Sequence, residues 1–149
     1  MLDDIRWMQA ALEEAKSAPA HGDVPVGAVV VHHETIIGRG HNRREIDLDP
    51  TAHAEIIAMR EAARALGTWR LDEVTLYCTL EPCMMCAGAM VQARLKRLVY
   101  AAHDEKAGAS GSIVNLLDYP GSPHQVVVHS GVLSDEAAAE MQKFFSRLR

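Results

Sequence analysis

The sequence predicts an α/β fold in which helices cover both faces of one sheet. Short apolar segments rich in β-branched residues, typical of buried strands, alternate with longer segments whose apolar residues recur at helical spacing. The chain is 149 residues long and shows no repeat, linker or low-complexity tract. These observations favour one domain over residues 1–149, with enough chain to bury its own core.

The first half of the chain predicts two helices on either side of a β-hairpin. Met8 and Leu12 belong to an apolar stripe at helical spacing, which Pro19 and Gly22 interrupt. Gly67 marks the end of the second helix. The predicted elements are a helix over residues 3–17, strands over 26–32 and 35–40, a polar loop over 42–51 and a helix over 52–66.

The second half predicts three more strands and two helices. Pro82 suits the first turn of a helix, because a missing N–H is harmless there. Ser134 is a candidate N-cap of the last helix, whose apolar stripe includes Phe144 and Phe145. The predicted elements are strands over residues 74–79, 98–102 and 125–129, helices over 82–92 and from 134 onward, and a mobile loop over 108–112, rich in glycine and serine.

Composition narrows the functional classes. The net charge of −5 argues against a broad surface for nucleic acid, although basic residues cluster locally. No apolar run is long enough to span a membrane, so we expect no membrane partner. Three cysteines make a disulfide framework improbable and favour a reducing cytoplasm. The local basic clusters are Arg94, Lys96 and Arg97, and Lys143, Arg147 and Arg149.

Two separated motifs predict a metal centre. His53 begins the second predicted helix, and Cys83 and Cys86 lie one turn apart at the start of the third. One imidazole and two thiolates suit Zn²⁺, and three protein ligands leave a fourth position for water. We therefore expect one zinc per chain. The alternative is that this segment is only an apolar helix in which Cys83 and Cys86 are buried free thiols. A buried free thiol is the role that we expect for Cys78.

Glu55 is the candidate general acid–base. It follows His53 by two residues, so both can reach a group lying over the helix N-terminus although they do not share a helix face. Zinc lowers the pKa of water to about 7, and Glu55 would accept the released proton and return it to the reacting ring and its leaving group. The alternative is an acid that stabilises the first helical turn.

Longer segments around these motifs resemble the bacterial tRNA-specific adenosine deaminase family. His-x-Glu followed by Pro-Cys-x-x-Cys is the signature of zinc-dependent nucleobase deaminases, the cytidine and deoxycytidylate deaminase superfamily. The resemblance extends over nearly the whole chain. It is carried by DVPVGAVVV (23–31), HN (41–42), DPTAHAE (49–55), TLEPCMMCAGAM (79–90) and DEKAGASGS (104–112).

The resemblance implies a cytidine-deaminase-like α/β/α sandwich around a mixed five-stranded sheet, and a homodimer. It implies hydrolytic conversion of adenosine to inosine at the wobble position, 34, of a tRNA anticodon, with the anticodon stem-loop as partner. It assigns substrate contacts to Asn42, Ala54, His103, Asp104 and Phe145. From the residues alone, Asn42 could equally cap a loop, Asp104 could be a solvated acid, and packing is the favoured role of Phe144 and Phe145.

The chain departs from the family pattern at two places. His103 stands where relatives often carry a basic residue, and the basic tail is short. Two other functions remain open at this point. One is deamination of a free base such as guanine or cytosine, and the other is a non-catalytic, zinc-stabilised RNA-binding subunit. Asn42 and the segment 104–112 favour the tRNA enzyme, and Glu55 argues against the non-catalytic protein.

Overall fold

The computed structural model describes residues 2–148, in which helices and strands alternate. A single 3₁₀ turn at Pro19–His21 follows the first helix. In chain order the elements are α1 (Leu2–Ala15), β1 (Gly27–His32), β2 (Thr35–His41), α2 (Arg44–Asp47), α3 (Ala54–Leu66), β3 (Thr75–Leu80), α4 (Met84–Gln92), β4 (Arg97–Ala102), β5 (Val127–Ser130) and α5 (Ser134–Arg147).

The five strands form one mixed sheet with the order β2-β1-β3-β4-β5. The hairpin β1–β2 and the pair β1–β3 are antiparallel, whereas β3–β4 and β4–β5 are parallel. Helix α4 connects β3 to β4, as a parallel pair requires. This arrangement confirms the α/β/α sandwich around a mixed five-stranded sheet.

Apolar residues form one packed layer on each face of the sheet. Leu76 and Cys78 on β3 face α3 and α4, while Tyr77 between them faces the layer that includes Trp7 and Met8 of α1. The same alternation explains the predicted role of Cys78, which is a fully buried free thiol. Because they are covered on both faces, the central strands β1, β3 and β4 are mostly apolar.

Close contact between β2 and α3 depends on two glycines. A Cβ at Gly40 would lie 2.4 Å from the carbonyl oxygen of Ala54, and one at Gly38 would lie 2.2 Å from that of Ala58. Any side chain at either position would push α3 away from the sheet. His53 immediately precedes α3, so the close contact that these glycines allow also sets the position of that histidine relative to the sheet.

An ion pair on the opposite face fastens α1 to the sheet. The buried carboxylate of Asp4 accepts hydrogen bonds from Arg97 Nη1 and Nη2, at 3.0 and 2.7 Å, and from the Tyr77 hydroxyl at 2.7 Å. The hydrogen bonds from Arg97 contribute most to lowering the pKa of Asp4 to about 2. Asp4 therefore stays ionised under all mild conditions.

Several local predictions were wrong. The polar loop 42–51 contains the helical turn α2, where Asp23 accepts a hydrogen bond from the N–H of Glu45. Pro82 precedes α4 because Cys83 is the N-cap, and Leu133 rather than Ser134 is the N-cap of α5. Within the segment 108–112, which the sequence predicts to be mobile, the N–H groups of Ser110 and Ser112 donate hydrogen bonds to the buried carboxylate of Glu81. No helix within residues 2–148 is long and apolar enough to cross a membrane.

Candidate active site

The N-termini of α3 and α4 bring together the three predicted metal ligands. His53 is the N-cap of α3 and Cys83 the N-cap of α4, and both have extended backbones that turn their side chains over the helix ends. Cys86 follows in the first turn of α4 and is fully buried. Both helices direct the positive ends of their dipoles at this point, which favours thiolates there.

The separations among the ligand atoms match those of a tetrahedral metal. His53 Nδ1 lies 3.6 Å from Cys83 Sγ and 3.5 Å from Cys86 Sγ, and all three ligand atoms fall within 4.8 Å of one another. Zinc at its usual bond lengths would separate such a nitrogen and sulfur by about 3.6 Å at a tetrahedral angle. The donor set and its spacing therefore fit Zn²⁺ without rearrangement.

Proton sharing among the three predicted ligands favours a thiolate even without a metal. A hydrogen bond with Cys86 contributes most to lowering the pKa of Cys83 to about 3, against the effect of burial. The same bond, together with burial, raises the pKa of Cys86. The hydrogen bond with Cys83 raises the pKa of His53. Metal binding would replace these shared protons, so affinity should fall in acid.

Glu55 lies beside this group without belonging to it. Its residue is 4% exposed, and its carboxyl faces the cleft together with His53 and Cys83. Burial raises the pKa of Glu55 to about 7, and a hydrogen bond with Cys86 partly opposes the shift. A carboxyl with such a pKa can both accept and release a proton near neutral pH. The helix-stabilising alternative does not require this burial.

A cleft of about 760 Å³ is lined by His53 and Cys83, two of the predicted metal ligands. Its size suits a ligand of nucleoside dimensions, and its walls combine apolar surface with a few polar groups. The residues that line it are Val24, Val26, Asn42, Arg44, His53, Glu55, Leu80, Glu81, Cys83, residues 102–107, Ala138, Met141, Gln142 and Phe145.

Asn42 combines both interpretations of its sequence position. Its Oδ1 accepts a hydrogen bond of 2.9 Å from the N–H of Ala54, so the side chain caps α3. The residue also lines the cleft. Because the oxygen is committed to the helix, the Nδ2 group is the part that can donate to a ligand. Ala54 itself is fully buried and contributes through this bond.

His103 and Asp104 line the opposite side of the cleft. His103 is 3.1 Å from the Tyr100 hydroxyl through Nδ1, and its side chain is 58% exposed. Asp104 Oδ1 accepts hydrogen bonds from the N–H groups of Lys106 and Ala107, which closes a tight turn. The acid therefore has a structural role in its loop as well as a place at the cleft.

Phe144 and Phe145 have different environments. Phe144 is buried, as the packing prediction requires. Phe145 is 43% exposed and lines the cleft, so the packing prediction was wrong for it. The two rings touch edge to face with centroids 5.4 Å apart. Two consecutive residues of α5 thus place one ring in the interior and one at the cleft.

Basic residues at the cleft are not those that the sequence emphasised. Arg44 and Lys106 line the cleft, whereas Lys143 and Arg147 line a separate groove between α5 and residues 16–19, which follow α1. Arg149 lies outside the described residues. Composition gave no sign of Arg44 or Lys106, because each stands beside a glutamate in a mixed-charge segment and only the fold brings them to one opening.

The chain is similar to deaminases throughout its length. The model of the MafB19-like deaminase family matches residues 2–149. A tRNA-specific adenosine deaminase of Bacillus subtilis is 48% identical, with 100% of this chain and 92% of the relative covered. One of Haemophilus influenzae is 48% identical, with 98% and 85% covered.

Solved structures give the same result. A structure from a study of A-to-I editing by tRNA:A34 deaminases at the wobble position of transfer RNA superposes with a TM-score of 0.87 and 45% identity, covering 91% of this chain and 98% of that one. A guanine deaminase from Nitrosomonas europaea superposes with a TM-score of 0.80 but 26% identity, covering 95% and 84%. The TM-score and the identity are both lower for this guanine deaminase than for the tRNA:A34 deaminase.

Proposed function

This chain belongs to the family of tRNA-specific adenosine deaminases, and we propose that it hydrolyses adenosine to inosine at position 34 of a tRNA anticodon. The observation that carries the proposal is the buried acid Glu55 beside a His53–Cys83–Cys86 group of tetrahedral spacing, at the bottom of a nucleoside-sized cleft. The high identity to tRNA-specific relatives selects the substrate class.

His53, Cys83 and Cys86 would hold one Zn²⁺ through Nδ1 and two sulfurs. When bound, zinc supplies a Lewis acid that makes a water molecule acidic near neutral pH. Three protein ligands suit this role, because a structural zinc site would close the fourth position with another side chain. Two helix N-termini keep the thiolates ionised, and the packed sheet holds them in place.

Glu55 moves the proton that the reaction requires. It accepts one from the attacking water as the water oxygen bonds to C6 of the purine, and it donates that proton to the adjacent ring nitrogen N1. It then takes the remaining proton from the new C6 hydroxyl and delivers it to the leaving amine, so that the C6 carbonyl forms, the C6–N bond breaks and ammonia departs. Burial suits both directions of transfer, since it prevents the carboxyl from being permanently ionised.

The base is held by groups around the ligands. Asn42 Nδ2 donates to an acceptor nitrogen of the purine, while its oxygen remains bonded to Ala54. His103 and Asp104 face the ribose and neighbouring nucleotides, and Phe145 offers an exposed ring on which a flanking base can stack. Arg44 and Lys106 provide positive charge at the opening for phosphates.

The position of the metal group requires an unstacked base. A base inside a duplex cannot reach the bottom of the cleft, whereas a loop base is already partly free. Single-turnover inosine formation should therefore be efficient on a hairpin with adenosine in its loop and weak when the same adenosine lies in the stem. Equal rates on the two hairpins would reject the proposal.

Deamination of a free base is the competing function, since a guanine deaminase shares the fold. Supplying free adenine or guanine in place of the hairpin separates the two. The tRNA enzyme should show no substantial turnover of either base and no inhibition of hairpin turnover by them at equal concentration. Efficient release of ammonia from a free base, with no gain from RNA, would favour the competing function.

We also propose a homodimer in the cytoplasm. Helix α4 exposes Met84 at 64% beside the half-buried Met85, and Ile113 is 57% exposed, so a dimer interface would have apolar side chains to cover on this chain. Thiol ligands favour a reducing compartment. Light scattering at micromolar concentration should give twice the chain mass of 16.3 kDa, and a monomer would refute the dimer.

A further inference from the structure

We propose that Glu81 is a positioning residue for RNA recognition. Its buried carboxylate holds residues 103–112, and therefore one wall of the cleft, at a fixed place relative to the metal ligands. The inference rests on the proposed function, because it concerns how the same cleft receives its substrate. Glu81 lies in the sequence motif of the ligands, yet residue patterns gave it no role.

Glu81 is joined directly to the metal-binding helix end. It follows the last residue of β3 and precedes the ligand Cys83 by two residues. Its backbone N–H donates to the carbonyl oxygen of Ala102 at the end of β4, over 2.8 Å. The side chain is 0% exposed. A buried carboxylate must find hydrogen-bond donors, and here one segment supplies them.

Both carboxylate oxygens are occupied by the segment 103–112. Oε1 accepts from the N–H of Asp104 at 3.0 Å and from the hydroxyl of Ser112. Oε2 accepts from the N–H groups of Ser110 and Ser112, at 3.0 and 3.1 Å. His103 Nδ1 lies 3.5 Å from Oε1. Hydrogen bonds to a charged acceptor are stronger than neutral ones, so this contact can determine the path of a loop.

The segment passes close to the carboxylate with little free space. A Cβ at Gly108 would lie 2.3 Å from Glu81 Cδ, so only glycine fits there. The N–H of Ala109 also donates to the carbonyl oxygen of Pro82 at 2.8 Å. A loop rich in glycine and serine, which would otherwise sample many conformations, thus has one arrangement when Glu81 is present.

The role is positional because Glu81 has no free acceptor for a substrate. The loop that it holds carries His103, Asp104 and Lys106 to the cleft. The apolar layers that stabilise the sheet do not involve Glu81. Loss of the carboxylate should therefore disturb the recognition side of the cleft more than the metal ligands or the core.

The test uses the Glu81→Gln variant of the 149-residue chain. This change keeps the shape of the side chain but replaces one acceptor oxygen with an amide NH₂ group, which cannot accept hydrogen bonds from the surrounding N–H donors. Binding is measured by fluorescence anisotropy with a hairpin that carries inosine, the product, at the reacting position. We expect Kd to rise about tenfold or more, as expected when hydrogen bonds to a charged group are lost. The single-turnover rate at saturating adenosine hairpin should change by less than about threefold, the pattern of lost uniform binding. The zinc content should stay unchanged.

Charge provides a matched control. Glu105→Gln removes the same charge from an exposed acid of the same loop. Removing negative charge near RNA should, if anything, tighten binding. Weaker binding by Glu81→Gln with no weakening by Glu105→Gln therefore excludes a simple charge effect. Ser112→Ala removes one donor to Glu81, and we expect Kd to rise roughly two- to threefold, in line with one modest hydrogen bond.

Hydrogen exchange reports on the loop without any substrate. The amides of Ser110 and Ser112 should be protected in the wild type and lose protection in Glu81→Gln, whether or not the hairpin is a substrate. Unchanged protection, or unchanged Kd with a reduced saturating rate, would overturn the positioning role. If Glu81→Gln does not fold, Ser112→Ala decides: an unchanged Kd and unchanged exchange would also overturn it. Absence of inosine formation by the wild type would reject the proposed function and leave the exchange result to stand alone.

Discussion

The cleft has two walls of different construction. The metal wall consists of His53, Glu55, Cys83 and Cys86, which are carried by helix N-termini packed on the sheet. The recognition wall consists of residues 103–107 and of α5 from Ala138 to Phe145, where polar and exposed side chains predominate. One wall is fixed by the core and the other by hydrogen bonds within a loop.

This difference suits the two tasks of a nucleic-acid enzyme. Proton transfer and metal ligation depend on distances within a fraction of an ångström, which packed helices can maintain. A loop and an exposed aromatic ring can adapt to neighbouring nucleotides at a smaller cost. Substitutions in the metal wall should therefore abolish the chemical step, and those in the recognition wall should change affinity.

The largest expected effect is loss of the metal itself. Cys86→Ala should lose the zinc and all turnover, because two remaining ligands cannot hold the ion at its usual affinity. Metal analysis should give one zinc per chain for the wild type. Cys78→Ala is the matched control, since Cys78 is equally buried but is not one of the ligands. A second zinc in the wild type, or retained zinc in Cys86→Ala, would contradict the site.

Glu55→Ala should separate chemistry from metal binding within the same wall. Turnover should fall by about 10²- to 10⁴-fold, the usual contribution of a general acid–base, while the zinc content and thermal unfolding temperature are maintained. Glu61→Ala, an exposed glutamate on the same helix, should have no such effect. A rate near that of the wild type for Glu55→Ala would remove its assigned role.

The metal wall was largely predictable from the sequence because its chemistry is local. His53 and Cys83 needed only to stand at helix starts, and an apolar pattern reveals those within a few residues. Alternating strand and helix segments predicted an α/β fold around one sheet for a similar reason, whereas the mixed strand directions of that sheet were implied only by the family resemblance. The errors at Pro82 and Ser134 concern single capping positions, which depend on backbone angles such as the φ of 57° at Leu133.

The recognition wall was less predictable because it depends on long-range contacts. Glu81 and Ser112 are 31 residues apart, and their hydrogen bond converts a segment of flexible composition into a held loop. Arg44 and Lys106 reach one opening only after folding. Phe145 differs from Phe144 by one position on a helix, and the surface that α5 packs against determines which ring is buried.

The ion pair between Asp4 and Arg97 lies far from the cleft, so its contribution to stability should be separable from the function of either wall. Asp4→Asn should lower the free energy of unfolding by about 2 kcal/mol at pH 7, because the pKa of Asp4 lies near 2 in the folded protein and near its ordinary 3.8 in the unfolded chain. A depressed pKa stabilises the fold above 3.8, and this contribution is lost as the pH falls toward 2.

The difference between wild type and Asp4→Asn in urea unfolding should therefore shrink from pH 5 to pH 2, and activity per folded molecule should stay unchanged. Asp3→Asn, an exposed neighbour on the same helix, serves as control. A constant difference across this pH range would show that the ion pair with Arg97 is not its source.

Asn42 both caps α3 and lines the cleft, and two variants should resolve this dual role. Asn42→Asp keeps an oxygen to cap α3 but loses the Nδ2 donor, so we expect the thermal unfolding temperature to be kept and KM to rise about tenfold through loss of one hydrogen bond. Asn42→Ala should add a loss of about 1 kcal/mol in stability, as for other lost caps. Equal KM values for Asn42→Asp and wild type would restrict Asn42 to capping.

The smallest effects should come from single basic residues at different distances from the cleft. Lys106 lines the cleft, whereas Lys143 lies in the groove between α5 and residues 16–19. If Lys106 contacts a phosphate of the loop, Lys106→Ala should weaken hairpin binding by a few-fold and reduce the slope of log Kd against log salt by roughly 0.7, the contribution of one phosphate contact on a single strand. Lys143→Ala should change the slope less, and neither should alter the single-turnover rate at saturation. A larger slope change for Lys143→Ala would mean that RNA leaves the cleft along α5 past the groove, and the recognition wall would then include the face of α5 that lines the groove.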